Sequence, residues 1–259
     1  MKSMRIGLDL AKNIFEVFAV DQDEKVLLRK TIKRSQVLEF FVQQEPCIVG
    51  MESCGGAHYW ARELQKLGHE VRMMAPQFVA PYRKSDKNDR NDAEAICEAA
   101  GRPNMRFVPI KNEGQQAILT VHRARSLLVA ERVSLINQIR GFLTEYGIVI
   151  PQGRLQVRSK LPEILENGEN TLPYLAREVL SDQYRRLCEL DRVLDDYDQK
   201  ISSLSKSQEV TRRLMEAEGI GLVTATAIVA SAGDLHDFKN GRQFASLARP
   251  CTTAMVFRR

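Results

Sequence analysis

The hydrophobic pattern of the first hundred residues predicts a β-meander followed by alternating helices and strands. Three short segments rich in β-forming residues come first, and the turn-forming run Asp21–Asp23 separates the second from the third. A meander that continues into alternating α and β elements predicts a mixed sheet with helices on its faces, an α/β fold. The three predicted strands are Arg5–Leu10, Ile14–Val20 and Lys25–Ile32.

The next segment predicts two more strands and three helices. The strands are short apolar runs, and the helices show apolar residues three and four positions apart. Gly68 and Gly101 follow two of these helices, as expected of glycines that close a helix. The predicted strands are Pro46–Glu52 and Glu70–Met74, and the predicted helices are Ser35 (as the N-cap) through Gln44, His58–Leu67, and Asn88 or Asp89 to Ala100.

The second half of the chain predicts helices only. Asn112–Tyr146 and Leu172–Leu204 keep a helical apolar spacing and flank a linker with Pro and Gly, 147–168. Two such helices predict an antiparallel coiled-coil hairpin. Further on, helical segments at Glu209–Glu218 and Leu222–Ala232 flank the turn Gly219-Ile220-Gly221, which predicts a helix-hairpin-helix.

Charge is unevenly distributed in this chain of 259 residues with net charge +5. Residues 102–160 hold ten Lys and Arg against three acids, whereas residues 161–200 hold five against ten. One interpretation is a solvated helix face, and the other is a track for nucleic acid. The turn amides at Gly219 and Gly221 suit a phosphate, although a buried helix pair with a tight turn explains them equally well. The candidate track residues are Arg123, Arg125, Arg132 and Arg140.

The cysteines indicate reduced thiols. All five are scattered and none forms a C-x-x-C pair, which argues against zinc and against a disulfide framework. No secretory signal and no membrane-spanning run is visible, so we expect a cytoplasmic protein without a membrane partner.

Two acidic residues stand at the ends of predicted buried strands. In the first strand Gly7 and Asp9 share one face, and the large apolar residues share the other. A carboxylate in an apolar strand is costly without a partner or a cation. Glu52 ends a second such strand, and a divalent cation would relieve the repulsion between the two acids. Magnesium prefers these oxygen ligands.

Asp89 and Asp92 lie three residues apart, so a helix presents both on one face. They also lie in the first turn, where the helix dipole favours acids, so capping alone would explain them. Taken together with Asp9 and Glu52, they favour a site for one or two Mg²⁺ that acts on phosphodiesters, with all four as catalytic metal ligands. Lys12 flanks this site and could hold a phosphate.

Several segments resemble the DEDD transposases of the insertion-sequence 110 family, which are related to the Piv DNA invertases. Gly7–Lys12, Met51–Gly56 and Lys87–Ala93 resemble the three DEDD blocks. Glu218–Ala225 and Asp237–Ala245 resemble the C-terminal transposase domain of that family.

The resemblance implies a RuvC-like (RNase H-like) catalytic domain in residues 1–110, a coiled coil in 111–206 and a helical C-terminal domain in 207–259. It implies Mg²⁺ at the four carboxylates and site-specific recombination of insertion-sequence DNA. It also implies a structured guide RNA and a serine nucleophile in the C-terminal domain. We expect a homo-oligomer that forms through the coiled coil.

The last residues depart from the family pattern. After Ala245 the family continues into a serine- and glycine-rich block, whereas this chain reads Ser246–Arg259 without one. We therefore expect a shortened C-terminal domain in which no residue is assigned as the serine nucleophile. Two alternatives to a recombinase stay open: a non-catalytic remnant that binds DNA or RNA, and a junction nuclease that uses the carboxylates alone.

Overall fold

The protein divides into two compact units, residues 1–112 and 113–259, in the computed structural model. The structure describes residues 5–83, 89–206 and 208–232, without the side chains of Asp89 and Arg90. Within these ranges, no helix combines the length and apolar character needed to cross a bilayer.

The first unit is built on a five-stranded mixed sheet in the order β3-β2-β1-β4-β5. The first three strands form an antiparallel meander, and β4 and β5 continue the sheet in parallel with β1. The predicted mixed α/β sheet is thus confirmed. The strands are β1 (Arg5–Asp9), β2 (Ile14–Val20), β3 (Val26–Lys33), β4 (Ile48–Glu52) and β5 (Glu70–Met74).

One face of the sheet forms the main apolar core. Ile6 and Leu8 of β1 and Met51 of β4 are fully buried there. The helices α1 (Val37–Val42) and α2 (Ala57–Lys66) supply the other side of this core. The large side chains of β1 therefore point towards α1 and α2, and the alternate positions point to the opposite face.

The opposite face is covered by α4 (Asp89–Ala100), which lies directly on the backbone of the two central strands. A Cβ on Gly7 would lie 2.1 Å from the carbonyl oxygen of Ala93. A Cβ on Gly50 would lie 2.6 Å from the Cβ of Ala100. Only glycine permits this approach, so these two positions fix where the helix crosses the sheet.

Three local predictions need correction. Ser35 is not a helix N-cap: residues 34–36 form a 3-10 turn, and α1 begins after Gln36, which makes no side-chain cap. Two helices were missed, namely α3 (Pro76–Val79), which continues into a 3-10 turn at Ala80–Tyr82, and α6 (Arg154–Glu166), inside the predicted linker. Prolines suggested breaks, but Pro76 stands at the first helical position, where its missing N–H costs nothing.

Pro162 lies in the interior of α6 and cannot donate to the carbonyl oxygen of Arg158. The hydroxyl of Tyr184, in α7 (Tyr174–Lys206), donates to that oxygen over 3.3 Å. A side chain from the neighbouring helix therefore satisfies the carbonyl that the proline leaves without its backbone donor.

Two helices of 33 residues, α5 (Glu113–Glu145) and α7, form the frame of the second unit. Arg125 pairs with Asp198 and Arg132 with Asp191, so partner numbers fall along α7 as they rise along α5. The helices therefore run antiparallel. The knobs-into-holes packing of a coiled coil stays a prediction.

The helices α8 (Glu209–Met215) and α9 (Leu222–Ala232) pack together after α7. The first is shorter than expected, and the turn between them contains Gly219 at φ +84°. Such a backbone conformation favours glycine, which explains this residue. The role of the pair as a helix-hairpin-helix stays a prediction.

We expect Gly7→Ala to lower the free energy of unfolding of the first unit by about 1–3 kcal/mol, because the added methyl overlaps helix backbone that cannot rotate away. Urea unfolding followed by the fluorescence of Trp60, the single tryptophan, reports this unit. Gly141→Ala is the matched control, since nothing lies within 4 Å of its added Cβ and it sits in α5. An unchanged Trp60 transition in Gly7→Ala would contradict the close packing.

We expect the second unit to lose stability as the pH falls below 6.5. His122 is buried in α5, and its Nε2 lies 3.0 Å from Thr226 Oγ1 of α9. Burial, and then Arg125, lowers the His122 pKa from its usual 6.5. The unfolded chain therefore binds a proton more readily below pH 6.5, which favours unfolding there.

Urea unfolding followed by helical circular dichroism, above and below pH 6.5, measures this loss. His122→Gln is the comparison, because it keeps a hydrogen-bonding side chain that does not titrate. An identical pH dependence in both proteins would show that His122 does not carry the effect.

Candidate active site

Asp9 and Glu52 leave the sheet from adjacent strands at the same end. Leu8 pairs with Met51 in the parallel register of β1 and β4, so the next residue of each strand is one of the predicted acids. Because Gly7 and Gly50 face α4, the acids two residues later lie on the α4 face as well. Glu16 of β2 is opposite Asp9 in the register, but its carboxylate accepts a hydrogen bond from Thr31 within the sheet.

Asp92 reaches the same region from α4. It directly precedes Ala93, whose carbonyl oxygen lies over Gly7, and it is buried, with 6% of its surface exposed. Asp89 is the first residue of α4 and thus lies one turn earlier, while its side chain is outside the described part of the structure. The helix therefore brings Asp92 to the end of the sheet where Asp9 and Glu52 lie.

Arg83 connects two of these carboxylates and was missed by the sequence analysis. Its Nε lies 2.5 Å from Asp92 Oδ1, and its Nη2 lies 3.7 Å from Glu52 Oε1. One guanidinium thus contacts acids that are forty positions apart in the chain. Arg83 follows the 3-10 turn at Ala80–Tyr82, and no pattern in the sequence marks it.

The thiol of Cys54 lies within electrostatic reach of both Asp9 and Glu52. Although the residue is exposed, desolvation raises the pKa of its thiol, and the carboxylates of Asp9 and Glu52 raise it further. Both acids therefore act electrostatically on the same sulfur. This agrees with the parallel register in placing them together.

The donor set suits Mg²⁺ in chemistry, because Asp9, Glu52 and Asp92 offer only carboxylate oxygens. The guanidinium against Glu52 and Asp92 shows that this position accommodates positive charge. Among the side chains that the structure describes, however, no three His, Cys, Asp or Glu residues are arranged to hold one metal ion. The acids thus share one side and one end of the sheet without forming a closed metal shell.

The predicted nucleic-acid residues fall into two groups. Lys12 and Arg123 are exposed. In contrast, Arg125 and Arg132 form ion pairs with acids of α7, and Arg140 donates to the carbonyl oxygen of Ile150. Part of the charge asymmetry between the long helices is therefore neutralised within the second unit. Gly219 and Gly221 lie in the turn before α9.

Known proteins match the chain over both units. The DEDD transposase model of the IS110 family matches residues 6–148, more than half of the chain. The chain belongs to the IS110 family of transposases. A second family model, described as "Transposase IS116/IS110/IS902 family", matches residues 211–252. These matches confirm the resemblance found in the sequence.

Several IS110-family relatives are similar over nearly the whole chain. A "Probable family 20 transposase" of Pseudomonas aeruginosa is 47% identical over 95% of this chain and 73% of its own length. The transposase for insertion sequence element IS1328 of Yersinia enterocolitica is 42% identical over 92% of this chain and 71% of its own. The transposase for insertion sequence element IS1111A of Coxiella burnetii is 38% identical over 95% of this chain and 68% of its own length.

The name of the family gives the order Asp, Glu, Asp, Asp. This is the order along the chain of Asp9, Glu52, Asp89 and Asp92. The roles of these four residues stay a prediction, which we develop below.

Proposed function

We propose that this chain is a metal-dependent DNA recombinase of an IS110-family insertion sequence. The observation that carries the proposal is that Asp9, Glu52 and Asp92 lie at the same end of the sheet, on the face that α4 covers. Asp89, one turn before Asp92, completes the proposed ligand set. A meander continued by parallel strands supports the RNase H-like (RuvC-like) fold of this unit.

Rigid elements hold the proposed ligands. Asp9 and Glu52 end hydrogen-bonded strands, and Asp92 stands on a helix that Gly7 and Gly50 fix against those strands. Mg²⁺ bound there would supply Lewis acidity for phosphodiester chemistry. The protein contributes fixed oxygen ligands on a preorganised frame, so that little reorganisation accompanies the reaction. Lys12, exposed just beyond β1, is placed to contact a DNA phosphate.

DNA binding finds support in a cluster of three arginines around Asp191 in the second unit. Its Oδ1 lies 3.0 Å from Arg132 Nη1 and 3.1 Å from Arg154 Nη1, and its Oδ2 lies 3.5 Å from Arg158 Nε. One carboxylate cannot neutralise three guanidinium groups, so positive charge remains for a phosphate backbone. The exposed Arg123 and the Gly219–Gly221 turn would contact further phosphates.

The partners implied by the resemblance belong to the same proposal. We propose that the basic groups of the second unit bind DNA and a structured guide RNA. The long helices α5 and α7 would pair two copies of the chain through a coiled coil. The nucleophilic serine of the family is assigned to no described residue.

We expect Asp9→Asn to lower Mg²⁺-dependent cleavage of branched or insertion-sequence-end DNA by about 100-fold or more, because a neutral amide holds the cation poorly. Cleavage is measured with the full chain, with and without transcribed non-coding RNA of the element. Asp23→Asn is the matched control, since Asp23 is exposed in the β2–β3 turn. Undiminished cleavage and undiminished Mn²⁺ binding in Asp9→Asn would refute the carboxylate site.

We expect DNA affinity to fall steeply with salt, since contacts with phosphates release counterions. Arg154→Gln should reduce the slope of log affinity against log salt by about one unit. Fluorescence anisotropy with labelled duplex measures both slopes. Arg185→Gln is the matched control, because Arg185 is exposed on the acidic helix α7 beside Asp182. Equal slopes for Arg154→Gln and the wild type would remove the arginine cluster from the binding surface.

A further inference from the structure

We propose that Arg83 is a built-in counter-ion of the carboxylate site and competes with the divalent cation for Glu52 and Asp92. The inference rests on the proposed metal site and deepens it. Arg83 is a positioning residue in this view: it holds the acids together before the metal binds, and it sets how tightly the metal then binds.

The three side chains are largely shielded from solvent. The side chain of Asp92 is 9% exposed, that of Glu52 is 17% exposed and that of Arg83 is 25% exposed. Charges shielded from solvent interact more strongly and are screened less by salt than charges on the surface. Two neighbouring carboxylates there repel each other, and a positive charge in contact with both relieves that repulsion.

The shape of the guanidinium group lets Arg83 reach both acids. Its nitrogens lie in one rigid plane, so that one Arg side chain can form ion pairs with two carboxylates at once. Here Nε pairs with Asp92 and Nη2 with Glu52, both as ion pairs without hydrogen-bond geometry. A lysine would offer a single point charge in this place.

Arg83 and a bound cation would compete for the same carboxylate oxygens. Asp92 Oδ1 already lies 2.5 Å from the Nε of Arg83. Magnesium binds carboxylate oxygens at about 2.1 Å, so an ion on this oxygen would stand close to the guanidinium. Two positive groups at this position repel each other, so the guanidinium must move aside when the cation binds.

The test is a Mn²⁺ titration of the full chain, followed by electron paramagnetic resonance of free Mn²⁺. We expect Arg83→Gln to bind Mn²⁺ about tenfold more tightly than the wild type, the factor for losing an ion pair on the order of 1 kcal/mol from the metal-free state. Unchanged or weaker binding overturns the proposal. This readout does not depend on DNA cleavage.

The matched control is Arg102→Gln. Arg102 also pairs with an acid of α4, Glu98, but at the opposite end of the helix from Asp92. The substitution removes the same charge, so unchanged Mn²⁺ affinity in Arg102→Gln shows that position matters rather than net charge. An equal gain in affinity in both variants overturns the proposal.

Two further variants complete the experiment. If Arg83→Gln does not fold, Arg83→Lys keeps the charge and loses the planar guanidinium, and it should bind Mn²⁺ more tightly than the wild type by a smaller factor; no gain overturns the proposal. Asp9→Asn separates the two ideas. Mn²⁺ binding that survives Asp9→Asn refutes the metal site itself, whereas binding that needs Asp9 but ignores Arg83 refutes only the counter-ion.

Discussion

The contact between α4 and the two central strands is the constraint on which the rest of the first unit depends. Because β1 and β4 carry glycine where the helix crosses, α4 approaches the strands closely, with the carbonyl oxygen of Ala93 over Gly7 and the Cβ of Ala100 over Gly50. The crossing point fixes which helical turn lies over the ends of the strands. That turn carries Asp92, and the strand ends carry Asp9 and Glu52. A close-packed contact without chemistry of its own thus brings Asp92 to the two acids that the strand register places together.

The sequence predicts an element well where its apolar residues follow one clear spacing, that of a strand or that of a helix. The strands at Ile14–Val20 and Glu70–Met74 and the helix at Leu222–Ala232 agree with the structure at both ends. The sheet face on which Asp9 lies also follows from the alternation of side chains along β1. Arg83 could not be found in this way, because its position depends on a short helix that begins with proline and on contacts between residues distant in sequence.

The charges of the second unit show why composition alone does not define a binding surface. The basic residues of α5 and the acidic residues of α7 partly neutralise each other in ion pairs, such as Arg125 with Asp198. Such pairs give the antiparallel helices a register as well as stability. Among the ion pairs of the described residues, several arginines share a single acid at Asp191, which leaves positive charge in excess there. The distribution of partners therefore says more about a polyanion site than the net charge of a segment.

The proline inside α6 has a consequence for the order in which the second unit folds. Pro162 cannot donate to the Arg158 carbonyl within α6, and in the described part of the structure the Tyr184 hydroxyl of α7 donates to it instead. During synthesis α6 emerges from the ribosome before Tyr184 does, because Tyr184 lies further along the chain. We therefore expect α6 to stay frayed until α7 has emerged and packed against it. The second unit then completes its folding late in synthesis.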